Sequence, residues 1–174
     1  MFVAAREPSP ANPLGIGAPE VANQALADFE KQEQTTDFPQ PFLAMARLLL
    51  DRSKPRESAE ILKRMPSVHR NEAELLEAGI LKKKLGDFEG THHLLTEAYV
   101  LNPDNVKTVH ELAQTKSRLA KNLNQRRQAR GRQFAPETEA LRRKLYQDCE
   151  GLLRRALQLT DDAIRSAWCW RDLA

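Results

Sequence analysis

An all-α fold is what this chain predicts, and three observations carry that expectation. Leu, Ala, Glu, Gln, Lys and Arg dominate the 174 residues while Val and Ile are scarce, which is a vocabulary of helix formers. Apolar residues recur at three- and four-residue spacing in one segment after another. Only seven glycines and 29% charged residues favour long solvated helices over a sheet protein. The length suits one domain with a substantial core and is too short for two comfortable ones.

Each element can be justified in turn. Residues 1–18, with Pro8, Pro10, Pro13, Gly15 and Gly17, are expected to form a flexible lead-in to a single helical domain over 19–174. Pro19 suits a first helical position, and Val21, Ala22, Ala25, Leu26 and Phe29 then recur to about Glu33. Thr35-Thr36-Asp37-Phe38-Pro39 breaks the chain. Phe42, Leu43, Ala46, Leu49 and Leu50 form the stripe of the next helix, which ends near Arg52. Ser53-Lys54-Pro55 turns into a helix whose Ala59, Ile61 and Leu62 face a core, with Met45 and Met65 as fillers. A clearer pair of helices follows over 72–105. It flanks the turn Leu85-Gly86-Asp87-Phe88 and closes at Leu101-Asn102-Pro103-Asp104-Asn105.

That 34-residue unit resembles a tetratricopeptide (TPR) repeat. Leu75, Gly79, Phe88, Ala98 and Pro103 stand where that family places its core, close-packing and helix-stopping residues, while Thr91 departs from the family's second-helix alanine. The likeness is specific over 72–105, weaker over 38–71 and 140–174, and absent over 1–36. Such a repeat cannot bury its apolar face alone. The resemblance therefore implies an α-solenoid of about three TPR-like helical hairpins.

One hairpin is abnormal. Val106, Val109, Leu112, Ala113 and Leu119 open a third unit, yet its ending at Leu152–Asp162 comes late: Ala156 matches Ala98 at a separation of 58 residues, so the surplus over one period is 24. A loose loop or two lengthened helices would absorb it. Residues 106–129 hold no Pro or Gly, and Pro136-Glu137-Thr138-Glu139 reads as a new helix start, so the lengthened pair over 106–159 is favoured. Each helix then gains about 12 residues, roughly 18 Å. The bend falls at Arg130–Ala135, and Leu119 and Leu123 face Leu141 and Leu145. A last unit opens at Ala163 and stops part-way, which would leave Trp168 and Trp170 as an interface for self-association or mark the chain as part of a longer protein.

Chemistry is sparse. No phosphate-binding loop, dinucleotide fingerprint, nucleophile elbow or zinc-protease motif occurs, and the adjacent His92-His93 do not share a helix face. No catalytic residue, metal or cofactor is assigned. Cys149 and Cys169 make neither a disulfide framework nor a zinc site, so they read as small core residues of a cytoplasmic protein. No apolar run is long enough to span a membrane.

Charge is concentrated in the abnormal hairpin. Over 106–144, Lys107, Lys116, Arg118, Lys121, Arg126, Arg127, Arg130, Arg132, Arg142, Arg143 and Lys144 face only Glu111, Glu137 and Glu139, a local balance of +8 in a chain of +3. Such a field attracts phosphates or an acidic protein surface. Phe134 is the only ring near the cluster, so base stacking has little to use. The TPR resemblance implies a groove on the first helices of the repeats. Leu76 and Ile80 would line it, with Lys83 and Lys107 beside them, suiting an apolar helix more than the carboxylate tails that chaperone-binding TPR proteins clamp. The expected function is a non-catalytic protein-interaction scaffold; the alternative is a nucleic-acid-associated module tracking phosphates through the Arg-rich hairpin 116–144.

Overall fold

The computed structural model describes residues 18–33, 36–67, 70–130 and 135–160. Among the described residues are seven α-helices and no strand: α1 (Ala18–Glu33), α2 (Gln40–Asp51), α3 (Pro55–Arg64), α4 (Glu72–Lys84), α5 (Phe88–Leu101), α6 (Val106–Arg130) and α7 (Pro136–Gln158). The chain is all-α, as its composition predicts. The proposed lead-in and the last, incomplete unit lie outside the described residues.

Local sequence sets the helix ends. Asn71 Oδ1 accepts from the Glu74 N–H at 3.0 Å while the Glu74 carboxylate accepts from the Asn71 N–H at 2.9 Å, a reciprocal cap that starts α4. Asp87 starts α5 by accepting from the Gly90 N–H at 2.9 Å. Pro55 and Pro136 open α3 and α7, where a missing N–H costs nothing.

The helices α2 and α4 end in the same turn. Arg52, Ser53 and Lys54 donate their N–H groups to the carbonyls of Leu48, Leu50 and Leu49; Leu85, Gly86 and Asp87 donate to those of Leu81, Lys83 and Lys82. The residue that must take positive φ is Ser53 (58°) in one turn and Gly86 (81°) in the other. Left-handed backbone burdens any residue with a Cβ. Gly86→Ala is thus expected to cost about 1 kcal/mol and Ser53→Gly to gain a fraction of that, as opposite shifts of the urea midpoint.

Packing runs along the chain. α2 lies on α3, α4 on α5 and α6 on α7, and α4 touches α2 on one side and α6 on the other. The main core joins α1 to α5: Phe29 meets Phe42 edge-on, with ring centres 5.2 Å apart, and Leu43, Ala46, Leu49, Ile61, Leu62, Leu75 and Leu81 complete it. Ser58 is fully buried and donates to the Ala46 carbonyl at 2.8 Å, fastening α3 to α2. Gln40 Nε2 donates to the Glu74 carboxylate one 34-residue step along the chain, and Thr108, a second step on, donates to Glu72. Asn105 adds a bond to Glu72 at 2.9 Å.

α6 and α7 depart from this rhythm. α6 has 25 residues where α4 has 13, and α7 has 23 where α5 has 14. The surplus lengthens both helices, as their composition predicts. Ala120, 34 positions beyond Gly86, lies fully buried inside α6 where the earlier pairs have already turned.

Candidate functional site

The site is built where the long hairpin passes the α4–α5 turn. α6 and α7 run antiparallel, as their contacts show. Val109 and Ala113 pack with Cys149, Leu153 and Ala156; Lys116 reaches Asp148 at 2.8 Å; beyond them Leu119 and Leu123 share a cleft with Leu141 and Leu145. The near end is latched to the preceding unit by Arg155, whose guanidinium donates to Asp104 Oδ1 at 2.8 Å and to the Pro103 carbonyl at 3.2 Å.

The cleft holds about 450 Å³, and its other wall is the turn Gly86–Glu89 with His92 behind it. Leu141 is 50% exposed, a large apolar side chain left uncovered beside the opening. At the turn, burial pushes the Asp87 carboxyl up, but the Gly90 N–H and the Lys82 ammonium at 3.0 Å outweigh it and hold the group below the usual carboxylate range. Arg118 stands over the Phe88 ring at 5.9 Å, so a cation of α6 rests on the first residue of α5.

His92 divides this cleft from a second one of about 710 Å³, walled by Tyr99, Leu112, Lys116, Asp148, Gly151 and Leu152. Its Nε2 is buried without a hydrogen-bond partner. Desolvation first, then the charges of Lys116 and His93, lower its pKa against the opposing pull of Asp148. The unfolded chain, with a histidine near 6.5, therefore takes up the proton first. Stability contributed by neutral His92 is present above that pH and falls as pH drops through it. The urea midpoint should decline between about pH 7.5 and about pH 5.5, and His92→Gln should flatten that decline.

The charges predicted from sequence meet different fates. Lys116 is paired with Asp148, and Glu139 accepts from Arg142 at 2.7 Å and from Arg143 at 3.0 Å. Those two bonds, Arg142 foremost, hold the Glu139 carboxyl down at about 2. Among the described residues no carboxylate pairs with Arg118, Lys121 or Lys144. Arg126, Arg127 and Arg130 fall in the last turns of α6, but their side chains lie outside the described residues, as do Arg132, Trp168 and Trp170.

The groove reading needs correction at Leu76. It is only 7% exposed and packs against Leu95 and Leu112, because α6 lies across that face of α4; Ile80 is half-buried beside it. Lys83 is spent on Glu111 at 2.6 Å and Gln114 at 2.7 Å, an α4–α6 tie rather than a free groove cation. Lys107 is exposed at the start of α6. The contribution of Phe88 and His92 to a cleft with the hairpin leucines was missed, although the 34-residue alignment does set Gly86 level with Ala120 and so places the extra turns beyond it.

Among the described residues no group of three His, Cys, Asp or Glu side chains is placed to hold a metal ion, and no helix is long and apolar enough to cross a membrane. No protein-family model matches the chain, and no curated protein matches it either.

Proposed function

We propose that this chain is a non-catalytic protein-interaction module, a short TPR-like α-solenoid that displays a long basic hairpin and binds a segment of another protein. The observation that carries the reading is the pair of matching turns at Ser53 and Gly86, one repeat apart, followed by a third pair that overshoots and leaves an apolar cleft open. Repeats that stack in this way present extended surfaces rather than enclosed reaction chambers. Cys149, buried among Val109, Ala113 and Leu153, behaves as a packing residue, and the compartment that this reading assigns is the cytoplasm.

The test is a selection of displayed peptides on the whole chain, run beside a salt titration with a single-stranded oligonucleotide of about 20 bases. Convergence on one peptide class with apolar anchors, bound with weak salt dependence, is the expected result. Failure of any peptide class to emerge, with oligonucleotide affinity falling log-linearly in salt, would overturn it in favour of phosphate tracking through the hairpin.

A further inference from the structure

Resting on that reading, we infer that the cleft beneath the hairpin overhang is the docking site and that its occupant is an acidic amphipathic helix of another protein. Three observations converge on this occupant. The first is an uncovered seam. Nearer the base, α5 packs on the α6–α7 pair through Leu95 and Tyr99, which meet Leu112 and Leu152 and leave the second cleft beside them. α4 and α5 turn away at Gly86–Phe88, whereas α6 and α7 continue, so Leu119, Leu123, Leu141 and Leu145 line an open cleft and Leu141 is half exposed.

The second is spacing. Leu119 and Leu123 are four residues apart on α6, and Leu141 and Leu145 four apart on α7, so each pair stands one above the other along its helix. Two rows at that spacing form a groove that takes the ridge of a third helix. An incoming helix with leucines at matching intervals would continue the line of α5 beyond its first residue. His92, whose Nε2 is buried without a hydrogen-bond partner, stands at the wall that this cleft shares with the second one.

The third is charge complementarity. Arg118, Lys121 and Lys144, beside the cleft on the two helices, have no carboxylate partner among the described residues, and no acidic residue occurs between Lys121 and Pro136; of the two carboxylates on the opposite wall, Asp87 and Glu89, the first is paired with Lys82. Carboxylates flanking the apolar anchors would be drawn in and oriented by this field, while a basic helix would be repelled.

The experiment uses the whole chain and a designed peptide of about 16 residues, long enough to hold helix, with leucines at helical spacing and glutamates elsewhere. Its controls are a scramble of the same composition and a version with Lys for every Glu. Fluorescence anisotropy is expected to show the acidic helix binding at least about tenfold tighter than either control, and Leu141→Glu weakening it by about tenfold or more. Leu141→Glu should leave the circular dichroism spectrum unchanged because the side chain is already half exposed, and Val100→Glu, at a 74% exposed position on α5, should leave binding unchanged. Equal binding of the scramble or the lysine version, or indifference to Leu141→Glu, overturns the inference. So does a photo-crosslinker at position 141 that captures the chain's own residues or a second copy instead of the peptide. If selected peptides bind but are lost with Ile80→Asp rather than Leu141→Glu, the docking site falls and the interaction-module reading stands.

Discussion

Leu95→Ala is expected to lower the free energy of unfolding by about 2–5 kcal/mol, the range for a leucine deleted from a close-packed interior. Leu95 is fully buried, and it lies where α4, α5 and α6 meet, against Leu76 and Leu112. Removing its branch takes contacts from three helices at once, and none of the three can close the gap without abandoning another neighbour. The loss should appear as a lower urea midpoint at unchanged m-value. A cost below about 1 kcal/mol would mean that these helices do not share one interior.

The second large effect is a change of sign. A Cβ built on Gly79 would stand 2.8 Å from Leu95 Cδ2 and 2.9 Å from its Cγ, and Leu95 is fully buried, so it cannot swing out into solvent. Gly79→Ala should therefore destabilise the native chain: overpacking costs about 1–3 kcal/mol and outweighs the gain of about 1 kcal/mol that alanine brings to a helix interior. With Leu95→Ala already present the obstruction is gone, and the same substitution should stabilise by about 1 kcal/mol. A double-mutant cycle measures this directly; additive effects would show that glycine is retained at position 79 for some other reason.

Much of this could be read from the residues alone. The apolar stripes of α2 and α3 placed Phe42, Leu43, Ala46, Leu49, Leu50, Ala59, Ile61 and Leu62 toward the core, and all are buried except Leu50 and Ala59, which are half-buried. Of the 24-residue surplus, 21 residues went into helix, 12 in α6 and 9 in α7, because residues 106–129 lack both Pro and Gly and because Pro136 restarts the chain with acids in its first turn. The site was legible only in part. Leu119, Leu123, Leu141 and Leu145 share a cleft as their spacing predicts, but helical period does not say which neighbouring turn stands opposite, so Phe88 and His92 were not joined to them. Leu76 shows the converse failure. Its place on α4 suits a groove, yet the crossing of α6 decides its exposure, and crossing angles are not written in a single helix's pattern. Lys83 was misjudged for the same reason, since Glu111 and Gln114 reach it from another helix.

The fully buried Ala120 marks the level at which the chain could have folded back but instead kept climbing. Below that level the hairpin is tied to the preceding unit through Arg155, Lys83 and Glu72; above it, among the described residues, no hydrogen bond or ion pair reaches that unit. Length above Ala120 is consequently a free parameter. Whole turns can be added or removed there in matched pairs, about seven residues at a time across both helices. Such changes would alter how far the arm reaches without disturbing its foundation.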